Sequence, residues 1–272
     1  MIIDFHTHCF PDQIAAYAVP KLAGNAREGI KPYLDGRLDS LLESMERAGI
    51  SHSVVQHIAT KSGQEKTINT WAAEIQHKNG GGRILSFGTI HPETADWRGE
   101  IKRITDLGLK GVKLHPDYQS FFVEERRVFP IYEELCRAKL PVLFHSGVDI
   151  GLPEPCHCEP EGLRKVIDSF PEGIWIAAHM GGWQRWQEME DYLLGLPLYL
   201  DTSYCRPHLE KAKMEQFIRK HGVERVLFGS DSPWADQQVS VEGILELDLT
   251  SEEREKILSQ NALELLKLGS SK

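Results

Sequence analysis

Short runs of apolar, often β-branched residues alternate along the whole chain with longer segments whose apolar positions recur every three or four residues. The short runs predict strands over 2–8 (IIDFHTH), 53–58 (SVVQHI), 84–91 (ILSFGTIH) and 110–115 (KGVKLH). Further strands are predicted over 141–145 (PVLFH), 174–179 (IWIAAH), 198–203 (LYLDTS) and 225–230 (RVLFGS). Helical periodicity fills the intervals, as at 37–48, 65–78, 98–107, 126–139, 161–169, 184–194 and 209–220. A strand followed by a helix, repeating about every 30 residues, is the βαβ unit of parallel sheets. Eight such units without a long polar linker predict an α/β fold, one (β/α)₈ TIM barrel forming a single domain over 1–272.

Local signals refine the boundaries. Thr250 and Glu253 make a capping-box pattern ahead of a helix over 252–268, where Leu258, Ala262 and Leu265 share a face. Gly49, Gly108 and Gly222 stand where preceding helices should end. The longest stretch with no clear element is 9–36, expected as a loop on the C-terminal face of the barrel, where such loops shape the active site.

Composition narrows the function classes. With 41% hydrophobic and 26% charged residues, the chain can build a core and is not expected to be disordered. Its 31 Lys and Arg against 40 Asp and Glu disfavour attraction to nucleic acid or anionic membranes. No apolar run approaches the ~20 residues needed to span a bilayer, and the start, Met1-Ile2-Ile3-Asp4, lacks the pattern of a signal peptide. Five cysteines, an odd number, do not suggest a disulfide framework. Cys156 and Cys158 flank His157, but no second cysteine pair completes a structural zinc pattern. The expectation is a soluble, cytoplasmic protein, with a homodimer left open and no nucleic-acid or membrane partner.

The histidines carry the chemistry. His6, His8, His57, His91, His115, His145 and His179 fall at or beside the C-terminal ends of predicted strands, and Asp231 follows the eighth. That rim is where catalytic groups of (β/α)₈ enzymes gather. His6 and His8, two apart on a strand, point to one side and can offer two nitrogens to one ion. Continued alternation puts Asp4 with them and turns Ile3 and Phe5 toward the helices. On the fourth strand it sends Gly111, Lys113 and His115 inward, and on the sixth it places Ala177 on the side of His179. An open set of imidazole and carboxylate ligands suits a catalytic divalent ion, Zn²⁺ first, which activates a bound water.

These residues carry a resemblance. D-x-H-x-H on the first strand, LFHSG at the fifth, AHMGG at the sixth and FGSDSPW after the eighth resemble the amidohydrolase superfamily. More narrowly, the chain resembles its metal-dependent branch that includes aminocarboxymuconate-semialdehyde decarboxylase. GVKLHP and Asn261-Ala262 extend the likeness over nearly the whole chain. The resemblance implies His6, His8, His145 and Asp231 as ligands of one divalent ion. His179 would then polarise or deprotonate the water, and Asp231 would also carry a proton. Lys113 stands where binuclear relatives hold a carboxylated lysine, or it binds a substrate carboxylate. His115 and Trp234 are further substrate-binding candidates, Trp183 and Trp186 are candidate pocket walls, and Asp4 and Asp201 candidate acceptors behind the ligands. Hydrolysis of a small amide, ester or lactone ranks first. The alternative is nonoxidative decarboxylation, with Lys113 or Arg206 clamping the carboxylate, and a noncatalytic metal-binding barrel ranks last.

Overall fold

The computed structural model describes residues 1–26, 29–206 and 208–268. Eight parallel strands run in sequence order around one sheet: β1 (Ile3–Thr7), β2 (His52–Gln56), β3 (Ile84–Thr89), β4 (Val112–Leu114), β5 (Val142–Phe144), β6 (Trp175–Ala177), β7 (Tyr199–Asp201) and β8 (Val226–Leu227). Each pairs in parallel with the next, as in Val112 with Val142 and Val142 with Trp175. The ring closes where the Phe5 amide donates to the Phe228 carbonyl at 2.7 Å and the His8 amide to the Ser232 carbonyl at 2.6 Å. This is the single-domain (β/α)₈ barrel expected from the alternating pattern.

The helices are α1 (Asp12–Asn25), α2 (Leu38–Arg47), α3 (Glu65–Glu74), α4 (Trp97–Asp106), α5 (Phe129–Arg137), α6 (Pro160–Ser169), α7 (Trp186–Tyr192), α8 (Lys211–His221), α9 (Gln237–Leu245), α10 (Ser251–Glu255) and α11 (Asn261–Leu265). A π-helical turn joins α10 to α11, so the last three pieces make one continuous rod. Its start is the expected capping box, with Thr250 and Glu253 bonding reciprocally to each other's backbone amides. No helix among the described residues is long and apolar enough to cross a membrane, and the five cysteines are free thiols.

Two apolar layers result. One lies between strands and helices and includes Val112, Leu114, Val142, Phe144, Ala177, Leu200 and Val226. The other fills the barrel and includes Ile3, Phe5, Phe87, Leu143, Ile176 and Leu227, with Ala262 and Leu266 of the C-terminal rod plugging its base. Asn261 anchors that plug through its amide, which donates to the carbonyls of Val223 and Val226, both at 2.7 Å.

Three expectations need correction. Ile3 and Phe5 point into the barrel rather than toward the helices. The Phe5 and Phe87 rings meet edge to face at 5.5 Å although β1 and β3 are not neighbours, so the contact crosses the interior. Asp4 turns outward to Gln237 at the start of α9. The cause is a register shift between Asp4 and Thr7, a bulge that inserts one residue and lets Phe5 and His6 both face inward. Ala177 likewise belongs to the outer layer; the strand ends there, and His179, at φ 57°, is turned inward by a left-handed backbone. Finally, 9–36 is not an open loop. It contains α1, and it is tied to the mouth where the Tyr33 amide donates to the Pro233 carbonyl at 2.8 Å.

Candidate active site

The strand ends converge on a buried polar chamber. The Nε2 atoms of His6 and His8 lie 3.5 and 3.2 Å from the same Asp231 oxygen. Their other ring nitrogens are fixed from behind. His6 Nδ1 is 2.7 Å from Asp201 Oδ2, and His8 Nδ1 is 2.9 Å from the Gln56 carbonyl. With Nδ1 donating its proton, each Nε2 presents a lone pair to the space shared with Asp231. Burial, aided by the charge of Lys113, lowers the His6 pKa to about 4, so this ring stays neutral and able to ligate. Burial works against ionising Asp231, yet its neighbours His8, His6 and His179 hold its pKa below the usual value. Two imidazoles and one carboxylate, pre-aimed and held from behind, fit a divalent ion.

Backbone strain is concentrated here. Asp231 sits at φ 73° and His179 at φ 57°, a region that side-chain-bearing residues enter only when the surroundings enforce it. The enforcing contacts are visible. The Asp231 amide donates to the His6 carbonyl at 2.8 Å, and Asp4 braces the turn before it by accepting from the Ser230 amide and hydroxyl at 2.9 and 2.5 Å. Burial raises the Asp4 pKa to about 6, against the hydrogen bonds from Gln237 and Ser230. The His179 amide donates to Asp201 Oδ1 at 3.0 Å, and the Trp186 indole donates to the His179 carbonyl at 3.1 Å.

Asp201 is the hub of this scaffold. It accepts from His6, from the His179 and Ser203 amides, and from the Ser203 hydroxyl at 2.5 Å. Burial opposes its charge, but His6 and its other hydrogen-bond donors keep its pKa well below the ordinary carboxylate range. Ser203, not singled out from the sequence, also lies 2.9 Å from His179 Nδ1.

Three of the four expected ligands therefore meet. The fourth, His145, stands beside His179, with Nδ1 at 3.1 Å from His179 Nε2, and turns its Nε2 toward Asp149. His115 stacks on His145. Lys113 is 1% exposed and its Nζ has no hydrogen-bond partner. Burial lowers its pKa to about 8, opposed by Asp201 and Asp231. Arg206, the other candidate clamp, is half exposed and paired with Glu246 at 2.6 Å. Trp234 is half-buried at the exit from β8, its amide donating to the Asp231 carbonyl. Trp183 is buried with its ring 6.5 Å from that of His179. Cys156 and Cys158 are buried in the loop after β5, where His157 pairs with Asp117 at 2.9 Å. His57 packs against Trp71 and His91 accepts from the Glu93 amide, both structural contacts.

A (β/α)₈ barrel whose C-terminal rim gathers two histidines and an aspartate able to hold one ion defines a class of metal-dependent enzymes. The family model described as Amidohydrolase matches residues 3–268, and the chain belongs to that family. Among curated proteins it is similar to the decarboxylase orsB of Emericella nidulans, 23% identical over 304 aligned positions covering 90% of this chain and 89% of the relative. Among solved structures it is similar to an uncharacterised TIM-barrel protein of Bordetella bronchiseptica, with 24% identity, TM-score 0.78 and 98% of both chains covered. It is also similar to a manganese-bound 5-carboxyvanillate decarboxylase of Novosphingobium aromaticivorans, with 16% identity, TM-score 0.73 and coverage of 98% of this chain and 97% of that one.

Proposed function

We propose that this chain is a metal-dependent nonoxidative decarboxylase of a small carboxylic acid. The observation that carries the reading is one chamber holding both an ionised Asp231 that faces His6 and His8 and a buried, unpartnered Lys113. One side chain can move a proton, and the other can hold a carboxylate. The decarboxylases among the full-length relatives favour this alternative over the hydrolysis that the sequence ranked first.

His6, His8 and Asp231 would hold one divalent ion. His145, the fourth ligand implied by the resemblance, would have to turn away from Asp149 to join them. The donor set suits Zn²⁺ and also accepts Mn²⁺, which the Novosphingobium relative carries. When bound, the ion supplies positive charge that draws electron density from substrate oxygens. Lys113 fixes the anionic end of the substrate, and Trp234 walls the pocket beside Asp231. The bond from the substrate carbon to its carboxylate carbon then breaks, CO₂ departs, and the electron pair stays on the remaining carbon. Asp231, ionised at rest, takes up a proton from solvent and passes it to that carbon, and His179, close by at the β6 end, steadies its position.

The test is a panel of small aromatic and unsaturated carboxylic acids, lactones, esters and amides given to protein loaded with Zn²⁺ or Mn²⁺. The expected result is CO₂ release from an acid, lost on chelation. Release of acid, alcohol or amine without CO₂ would return the site to hydrolysis.

A further inference from the structure

His115, the residue after β4, is held at its backbone and at both ring nitrogens. Its amide donates to Gln119 Oε1 and its carbonyl accepts from the Gln119 amide, both at 2.9 Å. Gln119, itself buried, donates to the carbonyls of Ala59 beyond β2 and Ile90 beyond β3, at 2.9 and 2.8 Å. One side-chain amide thus ties the ends of three neighbouring strands to His115. The imidazole is fixed as well. Its Nδ1 accepts from the Tyr118 amide at 3.4 Å, which leaves the proton of the neutral ring on Nε2, 3.2 Å from Asp149 Oδ2. The other Asp149 oxygen accepts from the Gly151 amide at 2.7 Å, so this anchor is itself anchored. Tyr118 meets the His115 ring edge to face, with centroids 4.6 Å apart.

A face of this immobile ring carries His145. The two imidazoles stack with centroids 4.1 Å apart and planes 8° from parallel. At its edge, His145 Nδ1 lies 3.1 Å from His179 Nε2, and His179 Nδ1 lies 3.0 Å from the Ser203 carbonyl. A carbonyl can only accept, so a neutral His179 carries its proton on Nδ1 and accepts from His145 Nδ1. His145 Nε2 then keeps its lone pair, as a ligand must. A single edge bond is a pivot that leaves the ring free to tilt, and a flat, fixed neighbour in van der Waals contact removes that freedom. We infer that His115 is a positioning residue for His145, a platform that sets the plane of the fourth ligand, rather than a contact for substrate. With Nδ1 accepting and Nε2 donating, His115 has no nitrogen left to offer a bound molecule. The inference rests on the proposed function only in taking His145 to join His6, His8 and Asp231 around one ion.

The test uses the full chain, stripped of metal, in competition for Zn²⁺ against a chromogenic chelator. His115→Ala should weaken Zn²⁺ binding by roughly 10–100-fold, the usual cost of losing a partner that orients a ligand. His115→Phe restores a flat face without the ring nitrogens and should recover most of that loss. In a His145→Ala background, weaker from the start, His115→Ala should add no further loss, because the platform then has nothing to orient. Wild-type affinity in His115→Ala beside a weakened His145→Ala overturns the inference and leaves His145 a ligand. His115→Phe as weak as His115→Ala overturns it too, as does a full further loss in the His145→Ala background, since the defect then does not run through a flat face on His145. Unchanged affinity in His145→Ala removes the fourth ligand and the inference with it. Zn²⁺ affinity is read without turnover, so each outcome is separate from whether the site releases CO₂.

Discussion

Asp201 Oδ2 accepts the Nδ1 proton of His6 across 2.7 Å, with both side chains buried, and this bond decides which nitrogen of His6 faces Asp231. Without it the imidazole is free to choose its tautomer and to rotate. Asp201→Asn should therefore weaken metal binding by roughly 10–100-fold, the usual cost of removing a partner behind a ligating histidine. Competition against a chromogenic chelator measures this directly. Unchanged affinity would mean that Ser203, 3.0 Å from the same nitrogen, is enough to hold the ring.

Lys113 links stability to pH. In the folded metal-free protein its pKa falls to about 8 from an ordinary 10.5, because burial disfavours the charged form. Below pH 8 the folded chain carries a buried ammonium that the unfolded chain leaves in water, a penalty of about 3 kcal/mol for a shift of this size. The penalty fades as pH rises through 8 toward 10.5, so stability of the metal-free protein should climb across that window. Lys113→Met should melt higher than wild type at pH 7, converge with it near pH 10.5, and bind carboxylates more weakly. A variant that is less stable at pH 7 would show that the amine has partners in solution.

His179 stands beside His6, ring centroids 5.3 Å apart, where it would act next to a bound ion. Its ring is held through Nδ1 by Ser203 and through Nε2 by His145. Because His179 steadies the proton carrier Asp231, His179→Ala should keep the bound metal and lose turnover by roughly 10²–10⁴, the range of positioned acid–base catalysis. Metal content and turnover falling together would make it a ligand.

Much of this was legible in the sequence because a barrel repeats one simple pattern. The eight apolar runs announced their strands, and the clustering of histidines at their ends announced the rim. What escaped notice depends on contacts that periodicity does not encode. Simple alternation puts Ile3 and Phe5 on the wrong face because a bulge between Asp4 and Thr7 breaks the period that His6 and His8 suggest. Helix α1 was hidden by Pro20 within it, by Pro11 in place of a polar cap, and by having only Ala15 and Val19 buried. Asp149 looked like any loop carboxylate, since only the folded loop after β5 carries it to His115. Ser203 gave no signal beyond standing two residues after Asp201.

Asp231 is proposed both to ligate and to carry the proton, and substitution separates these roles. Asp231→Asn keeps one coordinating oxygen but loses the charge and the ability to take and return a proton. Turnover should vanish while a weakened metal site survives. Equal loss of both would leave Asp231 as a ligand alone.

The central claim is that this site breaks a carbon–carbon bond and protonates the carbon left behind. The most direct measurement is turnover in D₂O by protein loaded with Zn²⁺ or Mn²⁺, with CO₂ and product followed together by mass spectrometry and NMR. The account predicts that each CO₂ released leaves one solvent deuterium on the former carboxyl-bearing carbon, that chelation stops both, and that Asp231→Asn stops both with metal still bound. Hydrolysis products with no CO₂, or CO₂ release that persists in the chelated protein, would contradict it.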